Sequence, residues 1–100
     1  MGFEEPPVPI IGSVAGHRNQ LKVIADILDV AMDESLKTHI MYKANLSHRQ
    51  LVGYLNYLLE RGLLAVVADS EDGRTRFRVT EKGIQFLKDY TRLRKLLGHQ

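Results

Sequence analysis

The chain has 100 residues, 44% of them hydrophobic, which is the size and composition of one globular domain. It contains no cysteine, so a disulfide framework and a thiolate metal site are both excluded, and a formal charge of +2 makes bulk electrostatics a weak guide to partners. No apolar run approaches the roughly 20 residues that span a bilayer, and Glu4 and Glu5 precede the first apolar stretch without a basic n-region, which argues against a secretory signal.

Residues 1–16 hold Pro6, Pro7 and Pro9 together with Gly2, Gly12 and Gly16, and read as a flexible arm. A helical pattern starts near Arg18 and runs to Met32. Leu21, Ile24, Leu28 and Ala31, with Ala25 and Met32 beside them, fall at steps of three and four and are expected to share one buried face. Asp33, Glu34 and Ser35 interrupt the pattern. A shorter helix is predicted from about Leu36 to Lys43, with Ile40 and Met41 inward.

Asn45 marks the next turn, because asparagine tolerates the left-handed conformation at a helix end. Ser47 is a good N-cap for a third helix that continues to about Arg61, where Gly62 stops it. Leu51, Leu55, Leu58 and Leu59 form its apolar stripe. His48, Arg49, Gly53 and Asn56 occupy the opposite face, with Gln50 and Tyr57 to one side.

Leu63 to Ala68 is a short apolar, partly β-branched run, and Asp69-Ser70-Glu71-Asp72-Gly73 is turn chemistry. From Arg74 to Val79 the residues alternate: Thr75, Phe77 and Val79 on one side, Arg74, Arg76 and Arg78 on the other. Thr80 caps a last helix toward Leu97, and Gly83 in its first turn permits close packing. Phe86, Tyr90, Leu93 and Leu97 repeat at steps of four, three and four, which is the seam of a two-heptad coiled coil. The predicted class is α+β: a winged helix-turn-helix of three helices and a two-stranded wing, followed by a C-terminal dimerisation helix.

That outline implies a DNA reader. The N-terminal half of a recognition helix meets base edges in the major groove. Here it presents Ser47, His48, Arg49 and Gln50. Arginine can pair bidentately with guanine, and glutamine with adenine. Gly53 brings the backbone close to the sugar-phosphate chain, and Asn56 and Tyr57 reach a groove wall. Arg74, Arg76 and Arg78 make a cationic row about 7 Å apart on an extended strand, similar to the spacing of successive phosphates. Lys37 and Lys43 are secondary phosphate ligands. Each feature also has a plainer reading, as a solvated helix face or as arginines that discourage edge-to-edge aggregation. The acidic tip residues Asp69, Glu71 and Asp72 could pair with the arginines.

The segments THIMYKANLSHRQLVGYLNYLLERGLL and FRVTEKGIQFL resemble the archaeal winged-helix DNA-binding proteins, among them small chromatin-associated and transcriptional regulators. The resemblance covers about residues 20 to 97. It implies a homodimer on double-stranded DNA, with the terminal helices paired as an antiparallel coiled coil. It places the recognition positions on Ser47, His48, Arg49, Gln50, Gly53 and Tyr54, where Tyr54 is either core or contact. The domain boundaries follow: an arm over 1–16, the DNA-binding domain over 17–80 and the dimerisation helix over 81–100, in a cytoplasmic, nucleoid-associated protein.

Two rival functions differ in kind. An enzyme lacks its inventory, with no P-loop and no dinucleotide fingerprint. His17, His39, His48 and His99 lack metal-ligand spacing, so no metal, cofactor or small-molecule ligand is expected. A protein-docking winged helix without DNA binding is the remaining alternative.

Overall fold

Helix α1 spans Gly16–Val30 and presents Ile24, Ile27, Leu28 and, just beyond its end, Ala31 to the core. These positions are spaced so that one face is buried while the other is solvated. The computed structural model describes residues 16–67 and 71–98. The arm expected over 1–16 therefore lies outside the described residues except for Gly16, where α1 already begins. Ala68, Asp69 and Ser70, part of the predicted strand and turn, and His99 lie outside them too.

After α1 the chain tightens into a single 3-10 turn, Ala31–Asp33, and Glu34 adopts a positive φ of 49°. This reversal delivers strand β1, Ser35–Leu36, which leads directly into α2, Lys37–Ala44. Ser35 donates its hydroxyl hydrogen bond back to the Val30 carbonyl at 2.9 Å, fixing the corner. Helix α2 ends on Asn45 at φ 57°, as expected. The Leu46 and Asn45 N–H groups bond to the Met41 and Tyr42 carbonyls, so the turn satisfies the orphan carbonyls of α2.

Helix α3, His48–Glu60, starts from a complete capping box. Ser47 Oγ accepts from the Gln50 N–H at 3.1 Å, and Gln50 Oε1 accepts from the Ser47 N–H at 3.0 Å. It ends in a Schellman motif around Gly62, whose φ is 76°: Leu63 N–H bonds to Leu58 O and Gly62 N–H to Leu59 O. Both ends of the helix are thus set by local chemistry.

Strands β2, Leu64–Val67, and β3, Arg76–Val79, form the antiparallel hairpin, with Leu64 opposite Val79 and Val67 opposite Arg76. The sheet has three strands in the order β1-β3-β2, because Ser35 and Leu36 pair with Phe77 and Arg76. The two-stranded wing of the sequence reading therefore gains a short third strand, and β3 becomes central. The predicted alternation holds where β3 is a strand, with Phe77 and Val79 buried. Arg74 and exposed Thr75 precede it.

Helix α4, Glu81–Leu96, is stapled to the end of α3. Thr80 Oγ1 accepts from the Gly83 N–H at 3.1 Å and donates to the Gly62 carbonyl at 2.6 Å, while Lys82 Nζ donates to the Arg61 carbonyl at 2.7 Å. Ile84, Phe86 and Leu87 then pack on the core. The terminal helix is continuous with the domain through this first half.

Two sequence expectations change. The helical period puts Leu21 and Met32 on the buried face of the first helix, but both are about half exposed, and Ile27 takes the central position instead. The heptad spacing puts Phe86 in a partner interface, yet it packs on its own core and stacks on Tyr90 at 6.1 Å between ring centroids.

Gly83 is buried at the crossing of α4 with the sheet. A Cβ there would come within 2.5 Å of the Leu63 carbonyl oxygen and of Val79 Cγ2. Alanine normally stabilises a helix position by about 1 kcal/mol over glycine. Gly83→Ala is expected to do the opposite and cost roughly 1–3 kcal/mol through overpacking. Urea unfolding would measure it, and an unchanged or raised midpoint would contradict this packing.

Candidate nucleic-acid interface

The inner face of α3 is sealed. Leu51, Tyr54, Leu55 and Leu58 are buried, so the helix cannot roll. At 100° per residue the opposite line runs through Arg49, Gly53, Asn56 and Glu60. Arg49, Asn56 and Glu60 on it are exposed, as is His48 beside it, and Gly53 is half-buried. Half-buried Val52 lies between Arg49 and Asn56, a position the sequence reading passed over. Its place at i+3 from Arg49 and i−4 from Asn56 was the available signal. A branched apolar group there can meet a thymine methyl.

The row is electrically graded. Among the described residues, His48 and Arg49 at the N-terminal end have no carboxylate partner, whereas Glu60 closes the far end with a negative charge. A polyanion is therefore favoured at the start of α3 and repelled at its end.

Several residues named from sequence are already engaged. Ser47 and Gln50 hold each other in the capping box, so a bidentate Gln50–adenine pair would require opening it. Tyr54 is fully buried, which makes it core and removes it from the contact surface. Tyr57 is half-buried against the core, with the Arg61 guanidinium 5.0 Å from its ring centroid. Lys43 is exposed in the last turn of α2.

The arginine row of the wing is not a uniform cationic strip. Arg76 makes a two-point pair with Asp72, at 3.0 and 2.9 Å, which holds its guanidinium further above the ordinary range. Arg78 pairs with Glu34, across the sheet corner. Arg74 differs: its backbone N–H bonds to Asp72 Oδ1 at 3.0 Å, and its side chain has no carboxylate partner among the described residues. Asp72 thus pairs with an arginine as the sequence reading allowed.

No group of three or more His, Cys, Asp or Glu suited to a metal ion occurs among the described residues, and none of the described helices is long and apolar enough to cross a membrane.

At the far end of α4, Leu93, Leu96 and Leu97 are 55%, 73% and 72% exposed. Tyr90 is half-buried, with Arg94 above its ring at 5.6 Å. The second half of α4 therefore carries an apolar edge that its own domain leaves uncovered.

Beneath the interface, Tyr54 reaches toward Gln20 of α1. Both are buried, and neither Tyr54 Oη nor Gln20 Nε2 closes a hydrogen bond of good geometry. Burial pushes the Tyr54 hydroxyl up to about 12, and the nearby Gln20 amide opposes the shift only in part. An unfolded tyrosine ionises near 10, so between pH 10 and about 12 the unfolded state sheds a proton that the native state keeps. Stability should fall with rising pH across that window. Tyr54→Phe should flatten that part of the slope in denaturation measured at successive pH values; an unaltered slope would contradict the assignment.

The comparisons agree with the architecture. A profile of the winged helix-turn-helix family matches residues 17–98. The uncharacterized protein MJ0287 of Methanocaldococcus jannaschii is 34% identical over 67 residues, which span 66% of this chain and 63% of that relative. Among solved structures, Sso10a-2, a DNA-binding protein from Sulfolobus solfataricus, superposes with a TM-score of 0.64 at 24% identity, over 77% of this chain and 82% of its own. The MepR–DNA complex of S. aureus gives 0.66 at 16% identity, over 79% and 70%. Streptococcus pneumoniae FabT in complex with DNA gives 0.62 at 19%, over 91% and 64%. With the family profile covering residues 17–98, far more than half of its length, the chain belongs to the winged helix-turn-helix family.

Proposed function

We propose that this chain binds double-stranded DNA through the outward row of α3, as a homodimer joined through α4, and acts as a transcriptional regulator or chromatin-associated protein of the nucleoid. The observation that carries the reading is the exposure of His48 and Arg49, without carboxylate partners among the described residues, at the start of a helix whose opposite face is locked in the core. A major groove about 12 Å wide admits such a helix end-first. Arg49 is then placed to meet a guanine, Gly53 lets the backbone approach, and Val52 and Asn56 lie at the next turn. Structural neighbours add support: one is described as a DNA-binding protein, and others were solved on DNA.

The exposed Leu93, Leu96 and Leu97 supply the reason to pair. An apolar helix edge in water is stabilised by burial at about 25 cal/mol per Å². A second copy of the same edge completes a short antiparallel coiled coil and sets two recognition helices side by side. Half-exposed Leu21 offers a further apolar group on α1.

DNA affinity should fall linearly on a log–log salt plot, with a slope of about −0.9 per phosphate contacted. Failure to bind duplex DNA at low salt would instead favour a protein-docking role. Arg49→Ala should weaken binding by roughly 1–3 kcal/mol and relax preference at one base pair, as read by selection from random duplexes. An unchanged preference would remove Arg49 as a base reader. Leu93→Glu should give monomers with much weaker DNA binding; a dimer persisting in sedimentation would displace the interface from α4.

A further inference from the structure

The wing and α2 enclose a groove of about 560 Å³, lined by Leu36, Lys37, Thr38, Arg74, Thr75 and Phe77. Its lining divides by chemistry. Leu36 and Phe77 are apolar, the first half-buried opposite Arg76 at the sheet edge and the second buried opposite Ser35. Lys37 and Arg74 are cations, and Thr38 and Thr75 add hydroxyls. A deoxyribose with its phosphate has the same division: an apolar sugar face joined to a strong anion.

The two cations are distinguished by their lack of competitors. Arg76 and Arg78, the arginines of the adjoining strand β3, are engaged by Asp72 and Glu34. Among the described residues Lys37 and Arg74 have no carboxylate partner, and both are exposed. A phosphate at Arg76 or Arg78 must displace an existing ion pair. A phosphate between Lys37 and Arg74 displaces no carboxylate of the described residues. The first turn of α2 adds polar N–H groups to the same side, since its N-cap Leu36 provides no side-chain cap.

We infer that this groove is the seat of a DNA backbone sugar-phosphate, held by Lys37 and Arg74, and that Arg76 and Arg78 serve the wing as internal ion pairs. The inference rests on the DNA-binding reading and moves its backbone contact from the strand face to the junction of α2 and the wing. The volume falls within the range of about 300–1,000 Å³ typical of ligand clefts, leaving room for hydration around the phosphate.

The test compares four substitutions that each remove one positive charge from the full-length chain: Lys37→Ala, Arg74→Ala, Arg76→Ala and Arg78→Ala. Binding to one random-sequence duplex is followed by anisotropy across a salt series, with circular dichroism as the control for folding. Lys37→Ala and Arg74→Ala should each flatten the log–log slope by about 0.9, and the double variant by about twice that. Preference among selected sequences should be unaltered. Arg76→Ala and Arg78→Ala, although equal in charge change, should leave the slope at the wild-type value.

Equal slopes for all four variants, or flattening confined to Arg76→Ala and Arg78→Ala, would overturn the inference while the wild-type salt dependence leaves DNA binding standing. A wild-type protein with no salt-dependent binding would end both.

Discussion

The burial of one face of α3 is the constraint on which the rest of the structure depends. Leu51, Tyr54, Leu55 and Leu58 meet Ile24, Ile27 and Leu28 of α1 and Ile40 of α2 in a single core. Each fully buried aliphatic side chain contributes roughly 1.5–3 kcal/mol. Rolling α3 by even a third of a turn would expose several of them and bury Arg49. The rotation of the helix is therefore fixed by packing, and its ends are fixed by the Ser47–Gln50 box and the Gly62 motif. The outward row is the geometric complement of that core. It requires no device of its own.

Charge placement refines what this geometry offers. The chain carries 14 basic and 12 acidic residues, a balance that conceals local asymmetry. On the wing, carboxylates from two separate turns, Glu34 and Asp72, satisfy the strand arginines. Exposed pairs of this kind add little to stability, typically 0–1 kcal/mol. They do alter which cations an incoming anion meets first. On α3 and around the start of α2 the positive groups have no such partners among the described residues. The attractive surface is therefore narrower than a count of arginines suggests.

Much of the fold could be read from local signals. Asn45, Ser47, Gly62 and Thr80 each act through their own backbone neighbourhood, so residue type alone located the helix ends within a residue or two. Gly83 was legible as a close-packing position, although its contacts with Leu63 and Val79 were not. What escaped depends on distant partners. The two-residue strand Ser35–Leu36 is too short to show periodicity and exists only because β3 pairs with it. Leu21 and Met32 fit the helical period, but the domain is too small to cover the whole stripe. Phe86 fits a coiled-coil seam equally well, and the core claims it. At the site, the outward positions of α3 followed from the period. The engagement of Gln50 by the cap, the neutralisation of Arg76 and Arg78, and the groove beside Lys37 needed coordinates. Tyr54 stood at the boundary between faces, where a rotation of 40° decides between core and surface.

The central claim is that DNA meets the N-terminal half of α3 on the side opposite the core. Amide chemical-shift perturbation on titrating a selected duplex into isotopically labelled protein tests it most directly. The account predicts the largest shifts at His48, Arg49, Val52, Gly53 and Asn56, with a second set at Lys37, Thr38 and Arg74, and small changes over the C-terminal half of α4. Shifts concentrated at Leu93 to Leu97 or along β2, with the start of α3 unmoved, would contradict it.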